Sequence, residues 1–358
     1  MKKGSKATLG LVLTTAVLAG GAGAFGATAA VGEKKPKPVV QNSFDSLGPP
    51  VHQVKRDGRT VHYSDTGEKG ARPVLFMGGT GTTARASGMT EYLRTTRQNL
   101  GVRLISVERN GFGGTEYDGK LGFHDYSDDV QAVLDRLGIK KAPVIAISGG
   151  GPYAAHLAAD HPGRVSALHL AAALPPYGPN DAKFCGLPEK QQRKQVAGQI
   201  TDPRKWWGFD KSSPVHKIPG FTENAEEDGA RTYYLRGQKG DPAPQVHEQN
   251  LYCQRPGPDL KKFDKPVYVY TGKKDTTVPP ATQALWNRAF AQRPTVRSYA
   301  DTGHDVQYRH WDQVLLDVAG YADRAAVCVK GNTGVLPSEK AEELIKQGAT
   351  AGSCAWRD

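Results

Sequence analysis

The stretch PVIAISGGGPYAA, residues 143–155, decides the fold of this chain. Its residues 144–147 form a short apolar run rich in β-branched side chains, which is typical of a strand buried on both faces of a parallel sheet. Ser148 and three glycines follow, and Pro152 then opens a segment with the composition of a helix. A strand that becomes a helix within one residue needs small residues at the corner. We therefore predict a tight strand–helix corner with Ser148 at its apex.

The corner carries a pattern of known chemistry. Ala146-x-Ser148-x-Gly150 is G-x-S-x-G with alanine at its first position. In that motif the serine sits on a strained turn, and its hydroxyl is exposed at the carboxyl edge of the sheet. The pattern predicts that Ser148 Oγ is a nucleophile. On this stretch alone, a glycine-rich turn with a serine helix cap is the alternative.

Residues 1–29 have the pattern of a secretory leader. Lys2, Lys3 and Lys6 precede an apolar run at residues 7–19, and small residues end in the A-x-A site Ala27-Thr28-Ala29. The apolar run is too short, and too rich in glycine and alanine, for a stable membrane span. We expect a secreted, extracellular protein without stable membrane insertion.

The charge balance limits the partners. The 358 residues carry a formal net charge of +11 at pH 7. Such an excess influences solubility and association and does not decide the fold. Basic runs at residues 33–37 and 190–194 leave open a weak contact with anionic cell-wall polymers, although a solvated face is the ordinary interpretation. No nucleic-acid-binding module is recognisable, so nucleic acid is not a predicted partner.

Strand and helix patterns alternate along much of the chain. Asp57-Gly58, a strong hairpin signal, lies between the first two predicted strands, residues 51–55 and 60–64. The alternation of apolar strands with one-sided helices indicates a parallel sheet covered on both faces. It stops at Pro175 and resumes at Pro266, so we predict an inserted lid over the carboxyl ends of the strands, where open α/β sheets bind ligands. The predicted organisation is a signal peptide at 1–29, a linker at 30–50, an α/β core at 51–174, the lid at 175–264, the second part of the core at 265–323 and a C-terminal extension at 324–358.

The partners of Ser148 follow from chemistry. A serine hydroxyl is a weak nucleophile at neutral pH, and it needs a neutral histidine to take its proton and a carboxylate to orient that histidine. Asp275 and His304 each lie in a loop just past the carboxyl end of a predicted strand, at the same edge as Ser148. We predict Asp275 as the acid and His304 as the base. Asp181, after an earlier strand, and His310, near a predicted helix start, are the alternatives.

With these residues in place, the chain resembles the α/β-hydrolase superfamily, whose triad runs in the order serine, acid, histidine. The resemblance covers residues 51–321. It rests on the corner, the G-x-x-D before Pro279, the Gly-His after the last strand and the N-G-F-G-G loop at residues 110–114. It implies an α/β-hydrolase fold, with a mostly parallel sheet, helices on both faces and an inserted lid. Serine at the corner argues against haloalkane dehalogenases and epoxide hydrolases, which carry aspartate there.

The resemblance also implies an oxyanion hole made of two backbone N–H groups. One belongs to Gly149, the residue after the nucleophile. The other comes from the loop after the third strand, which usually reads His-Gly-x and here reads Gly78-Gly79-Thr80, so Thr80 is the second predicted donor. Gly78 in place of histidine is expected to loosen this loop, whereas Ala146 in place of the first glycine is expected to be tolerated.

Three functions stay open. The first is an exported carboxylic-ester hydrolase, in which Ser148 is acylated, the alcohol leaves with a proton from His304, and water deacylates the enzyme. The second is an exocytoplasmic aminopeptidase, since related secreted hydrolases cleave N-terminal residues. It needs a carboxylate for the ammonium group of a peptide substrate, and Glu226 and Glu227 in the lid are candidates. The third is a non-catalytic surface or binding protein that retains the fold; a cofactor-free haloperoxidase-like enzyme is a further alternative.

No cofactor and no metal are predicted. The glycine-rich loops lack the lysine of a P-loop and the spacing of a dinucleotide fingerprint. The sequence has no H-E-x-x-H spacing of a zinc site. His156, His161 and His169 are interpreted as structural residues.

Four cysteines in an exported chain suggest two disulfides, for which three connectivities exist. Cys185 and Cys253 both lie in the predicted lid, and Cys328 and Cys354 both follow the last core helix. Pairing within each region does not require the lid and the C-terminal extension to lie side by side. We therefore predict the disulfides Cys185–Cys253 and Cys328–Cys354.

Overall fold

The computed structural model describes residues 49–176, 182–200, 209, 212–234, 240–254 and 256–354. The predicted signal peptide and nearly all of the predicted linker lie outside the described residues, as does the rival acid Asp181. Within the described ranges, no helix is long and apolar enough to cross a membrane.

Eight strands form the main sheet: β1 (Val51–Arg56), β2 (Arg59–Asp65), β3 (Arg72–Met77), β4 (Val102–Val107), β5 (Ala142–Ile147), β6 (Val165–Ala171), β7 (Val267–Gly272) and β8 (Thr295–Tyr299). Their order is β1-β2-β4-β3-β5-β6-β7-β8. β2 pairs antiparallel with β1 and β4, and all other neighbours are parallel. Asp57 and Gly58, which join β1 to β2, both have positive φ, as the favoured two-residue hairpin turn requires.

The helices are α1 (Arg94–Asn99), α2 (Phe123–Arg136), α3 (Gly150–Asp160), α4 (Ala182–Cys185), α5 (Glu189–Ile200), α6 (Phe221–Tyr234), α7 (Ala243–Leu251), α8 (Pro280–Gln283), α9 (Trp286–Ala289), α10 (Val306–Arg309), α11 (Trp311–Ala319) and α12 (Ser338–Lys346). Short 3-10 helices span Ala86–Leu93, Pro162–Arg164 and Pro214–Lys217.

All six residues of β5 are buried because the sheet has a hydrophobic core on each face. Val144 packs in one core with residues of α2 and α3. Ile145, whose side chain points to the other face, packs in the second core with residues of α11. The continuous apolar run of β5 is thus explained by helices on both sides of the sheet.

Helices α4 to α7 lie in the segment between β6 and β7, and we call residues 175–264 the lid segment. Phe184, Val196 and Val246 form a small core that joins α4, α5 and α7. A disulfide links Cys185 to Cys253, with 5.7 Å between their Cα atoms. This small core and this disulfide therefore hold part of the lid segment together.

The C-terminal extension has more structure than the sequence analysis anticipated. Strands β9 (Arg324–Val329), β10 (Asn332–Pro337) and β11 (Thr350–Ala351) form an antiparallel sheet in the order β10-β9-β11. The disulfide Cys328–Cys354 closes this unit. The backbone N–H of Ser353 donates a hydrogen bond to Asp312 of α11, which ties the extension to the core.

Candidate active site

Ser148 lies at the corner between β5 and α3, with a φ of +48° that is unusual for a residue other than glycine. Its carbonyl accepts hydrogen bonds from the backbone N–H groups of Gly151 and Leu174, at 3.0 and 2.8 Å. A β-carbon on Gly150 would lie 2.5 Å from the carbonyl oxygen of Met77. The close approach of the β3 backbone explains the glycine at position 150, and surrounding contacts hold the strained turn at Ser148.

The structure brings together the three residues that the sequence analysis placed in the triad. His304 Nε2 lies 3.0 Å from Ser148 Oγ. His304 Nδ1 lies 3.0 Å from Asp275 Oδ2. The carboxylate is fully buried, whereas the imidazole is 18% exposed at the site. With Nδ1–H donating to Asp275, Nε2 is left as a hydrogen-bond acceptor that faces Ser148 Oγ.

Asp275 is held by several donors besides the histidine. Its Oδ1 accepts hydrogen bonds from the backbone N–H groups of Thr277 and Val278, both at 2.9 Å. Gln283 Nε2 donates to Oδ2 at 3.1 Å. These bonds fix the carboxylate and so fix the ring of His304. Sequence reasoning missed Gln283, because a glutamine in a four-residue helix carries no distinguishing signal.

The alternative base, His310, lies elsewhere. Its ring stacks on Tyr299, with centroids 3.6 Å apart. It lines a different cavity, of about 710 Å³, between β8 and the C-terminal sheet. The structure therefore does not bring His310 to Ser148.

The two predicted oxyanion donors border one space. A β-carbon on Gly149 would collide with Thr80 Oγ1 and Tyr252 OH, and it would lie 2.9 Å from Thr80 N. Thr80 Oγ1 donates a hydrogen bond to Tyr252 OH at 3.2 Å. Glycine at position 149 therefore lets the Thr80 side chain and the Tyr252 hydroxyl approach the backbone beside Ser148.

A cavity of about 250 Å³ opens on Ser148. Residues of the core and of the lid segment line it together, and none of its described lining residues is a carboxylate. The lining is Thr80, Ser148, Gly149, Leu174, Phe184, Cys185, Gln195, Gln249, Tyr252, Thr277 and Val278.

A family model described as the alpha/beta hydrolase fold matches residues 73–310, more than half of the chain. The chain belongs to the α/β-hydrolase family. It is similar to a non-heme chloroperoxidase of Streptomyces lividans, with 27% identity over 74% of this chain and 96% of the relative. It is also similar to a bifunctional esterase/perhydrolase of Acinetobacter calcoaceticus, with 26% identity over 74% and 97%. Among solved structures, an alpha/beta hydrolase fold protein from Nakamurella multipartita has a TM-score of 0.55 and 22% identity, over 76% of this chain and 98% of that one. These relatives support a hydrolase.

In this α/β-hydrolase the loop that carries Thr80 is held by Arg109. The guanidinium donates through Nη1 to the carbonyl of Gly78 at 3.0 Å and through Nη2 to the carbonyl of Gly79. Nη2 also donates to Thr82 Oγ1 at 3.0 Å. Glycine at position 78 therefore does not leave this loop without support, because the buried Arg109 bonds to its carbonyl groups.

A glutamate of the lid segment completes this arrangement. Glu248, in α7, is buried and forms an ion pair with Arg109, with Nε and Oε1 2.9 Å apart. Its Oε2 accepts the backbone N–H of Gly81 at 2.7 Å. Burial lowers the pKa of Arg109, but Glu248 together with Tyr252, Tyr153 and Tyr126 outweighs burial and the net pKa is raised, so the guanidinium stays charged. Sequence reasoning missed this pair, since its members lie far apart in the chain and Glu248 reads as an ordinary helical glutamate.

The lid acids that the aminopeptidase hypothesis requires have other contacts. Glu227 pairs with Arg85 at 3.4 Å. The neighbouring Asp228 is buried and accepts hydrogen bonds from the backbone N–H and the hydroxyl of Thr83. Neither Glu226 nor Glu227 is among the described residues that line the cavity at Ser148. The structure thus does not bring these acids to the predicted nucleophile.

Proposed function

We propose that the protein is a secreted serine hydrolase that cleaves small carboxylic esters through an acyl-enzyme on Ser148. The observation that carries the proposal is the chain of two 3.0 Å contacts from Ser148 Oγ through His304 to Asp275, at the mouth of a cavity. The relative named as an esterase/perhydrolase adds support for ester chemistry.

In the acylation half, His304 Nε2 takes the proton of Ser148 as Oγ attacks the ester carbonyl. The negative charge on the carbonyl oxygen is stabilised by the N–H groups of Gly149 and Thr80, each contributing about 3 kcal/mol. Asp275 stabilises the imidazolium that forms. Protonated His304 then gives its proton to the leaving alcohol, and the acyl group remains on Ser148.

In the deacylation half, His304 accepts a proton from water, whose oxygen attacks the acyl carbonyl. The tetrahedral intermediate collapses, the acid leaves, and His304 returns the proton to Ser148 Oγ. Within each half-reaction, the proton that His304 accepts is the proton that it then donates, so Ser148 and His304 end in their starting protonation states. The mechanism needs no cofactor.

The charge of the cavity favours an ester over a peptide with a free N-terminus. An ammonium group buried in the cavity needs a carboxylate partner, and the described lining offers amides and hydroxyls instead. Glu227 and Asp228 are engaged with Arg85 and Thr83.

Perhydrolysis at the same acyl-enzyme is the second candidate. It is favoured by the names of the two relatives, a chloroperoxidase and an esterase/perhydrolase. Hydrogen peroxide would replace water in deacylation and would yield a peracid, with the same residues transferring protons.

Export is part of the proposal. The leader pattern at residues 1–29 and the two disulfides support an oxidising compartment outside the cytoplasm.

The test uses the protein without residues 1–29, a fluorophosphonate label, p-nitrophenyl esters of increasing acyl length and aminoacyl-naphthylamides. We expect labelling of Ser148 and turnover of short-chain esters, with Ser148→Ala as the control. Turnover of the naphthylamides alone would favour an aminopeptidase. Failure of both labelling and turnover would favour a binding protein. Adding hydrogen peroxide and measuring peracid decides the second candidate.

A further inference from the structure

Helices α2 and α3 bring two histidines and an aspartate together at the end of α3 remote from Ser148. His124 is the second residue of α2, and Asp160 is the last residue of α3. One ligand atom of each of His124, His156 and Asp160 lies within 4.8 Å of the others. Neither the proposed hydrolysis nor the family resemblance uses this cluster.

The fold itself positions the three side chains. His156 and Asp160 are four residues apart in α3, so they project from the same face of the helix. The ring of His156 stacks on Phe123 of α2, with centroids 4.3 Å apart and planes 11° apart. His124 meets His156 edge to face at 5.3 Å. Packing therefore fixes the inner histidine, while His124, whose side chain is 76% exposed, is free to adjust.

Two buried atoms of the cluster have no hydrogen-bond partner within the described protein. They are His156 Nδ1 and Asp160 Oδ2. Asp160 Oδ1 is used, because it lies 2.9 Å from His124 Nδ1. A buried polar atom without a partner costs free energy, so such atoms call for an explanation in a native structure. A bound cation would supply the missing partner.

We propose that His124, His156 and Asp160 bind one divalent transition metal ion of the zinc class, with water completing the coordination. Two imidazoles and a carboxylate suit Zn²⁺, Co²⁺, Ni²⁺ or Cu²⁺, whereas Mg²⁺ and Ca²⁺ prefer oxygen ligands. Metal–ligand distances of about 2.0 to 2.2 Å hold ligand atoms within roughly 4.4 Å of one another. The present span of up to 4.8 Å closes with a small movement of the exposed His124.

The ion would act as a clip between α2 and α3 and not as part of the hydrolytic site. This revises the prediction of no metal, which rested on the absence of a linear zinc motif. Ligands that two helices contribute from separate parts of the sequence leave no such motif. The expected consequence is added stability, since a ligand that binds only the folded state raises the free energy of unfolding.

The experiment uses untagged, chelator-treated protein and the metal salts alone. Zn²⁺ is titrated by calorimetry, Co²⁺ is followed by its visible absorption, and thermal unfolding is recorded with and without Zn²⁺. We expect one Zn²⁺ per chain and a raised unfolding temperature. His124→Gln should weaken Zn²⁺ binding by at least about tenfold, since even residues that only support metal ligands cost that much. The exposure of His124 ensures that this variant folds.

The matched control is His161→Gln, which removes a neighbouring histidine that contacts Asp128 and lies outside the cluster. It should bind Zn²⁺ as the wild type does. His156→Gln should lose binding more completely than His124→Gln. Equal Zn²⁺ binding by wild type and His124→Gln, or no binding at one equivalent by the wild type, would overturn the proposal. Ester turnover is measured in parallel, so the proposed function succeeds or fails independently.

Discussion

The two halves of the candidate site are held by different parts of the chain. Ser148, Asp275 and His304 follow strands β5, β7 and β8, and their mutual contacts lie within the core. The loop that carries Thr80 also follows a core strand, yet its backbone is bonded to Glu248 and, through Thr83, to Asp228 in the lid segment. In the proposed mechanism the core holds the proton-transfer groups, whereas the lid segment helps to hold the groups that stabilise the oxyanion.

Because of this difference, substitutions in the core and substitutions in the lid segment should affect catalysis in two different ways. Loss of a core residue removes the chemistry itself. Loss of a lid contact leaves the nucleophile and base in place but disturbs a donor that acts only in the transition state, so it should lower kcat more than it raises KM.

The largest effect is expected from the core half. Ser148→Ala and His304→Ala should each lower ester turnover by about 10⁴-fold or more, because the triad acts as a unit. The unfolding temperature should stay near that of the wild type. Purified Ser148→Ala that keeps more than about a tenth of the activity would contradict the assignment.

The next effect is expected from Glu248. Glu248→Ala removes the carboxylate that pairs with buried Arg109 and accepts the N–H of Gly81, so the free energy of unfolding should fall by about 3 to 5 kcal/mol. Glu248→Gln keeps the shape and should lower kcat by about tenfold to a hundredfold with a smaller change in KM, because the Thr80 donor loses its fixed position. Steady-state kinetics and denaturant unfolding measure both.

Glu226→Gln is the matched control, since this half-buried glutamate of the lid segment lies outside the described cavity lining. It should match the wild type in kcat and stability. If Glu248→Gln is destabilised but keeps the wild-type kcat, the lid segment supports stability alone, and the separation between the two halves fails.

Removal of each disulfide compares a bond at the cavity with a bond away from it, and the expected effects are smaller. Removing Cys185–Cys253 opens a separation of 68 positions and removing Cys328–Cys354 one of 26, and each should cost roughly 3 to 4.5 kcal/mol on the chain-entropy model. Because Cys185 lines the cavity, only the first loss should also change KM or acyl-chain preference several-fold. Cysteine-to-serine pairs, thermal unfolding and ester profiles test this.

Non-reducing peptide mapping is the control for the pairing. A peptide that joins Cys185 to Cys328 or Cys354 would show that the pairing is wrong. A change of acyl preference in the Cys328→Ser/Cys354→Ser variant would show that the C-terminal sheet influences the site.

The smallest expected effect is a pH dependence of stability that arises from His169, a core residue away from the candidate site. His169 is buried against Tyr268 and Tyr270, and burial lowers its pKa to about 3. Between about pH 6.5 and pH 3 the unfolded chain binds a proton that the folded chain does not, so stability falls as the pH falls. From pH 8 to pH 5 this histidine should account for about 2 kcal/mol.

Denaturant unfolding at several pH values measures the effect, with His169→Gln as the variant that lacks it. His169→Gln should show a flatter pH dependence of stability and an unchanged kcat. An equally steep dependence in the variant would assign it to other groups.

The part of the candidate site that the core holds was predictable from local sequence motifs and from the order of the strands. Ser148 stands in a recognisable motif, and Asp275 and His304 follow apolar strands whose carboxyl ends must share an edge in a parallel sheet. The lid half was predictable only in part. Arg109 and Glu248 meet through tertiary packing, and neither has a sequence environment that distinguishes it from a solvated charge. The lid acids anticipated for a substrate were Glu226 and Glu227, whereas the acid that holds the loop is Glu248, on another helix of the lid segment.

The C-terminal sheet was missed for a different reason. β11 has two residues, and β10 contains Gly334, so neither shows the alternation by which short strands are recognised. The pairing that makes them strands comes from β9, and the sequence gives no sign of that partner. The cysteines were the exception, because Cys328 and Cys354 both follow the last predicted core helix and were paired on that ground.

The position of the lid segment between two neighbouring parallel strands has an evolutionary consequence. β6 and β7 pair directly, so the strand order of the sheet is the same whatever length of chain lies between them. Doubling such an excursion costs only about 0.6 kcal/mol in loop-closure entropy. We therefore expect this segment to be exchangeable as a cassette that changes substrate range, on one condition. A transplanted cassette must still present an acid to Arg109 and to the N–H of Gly81.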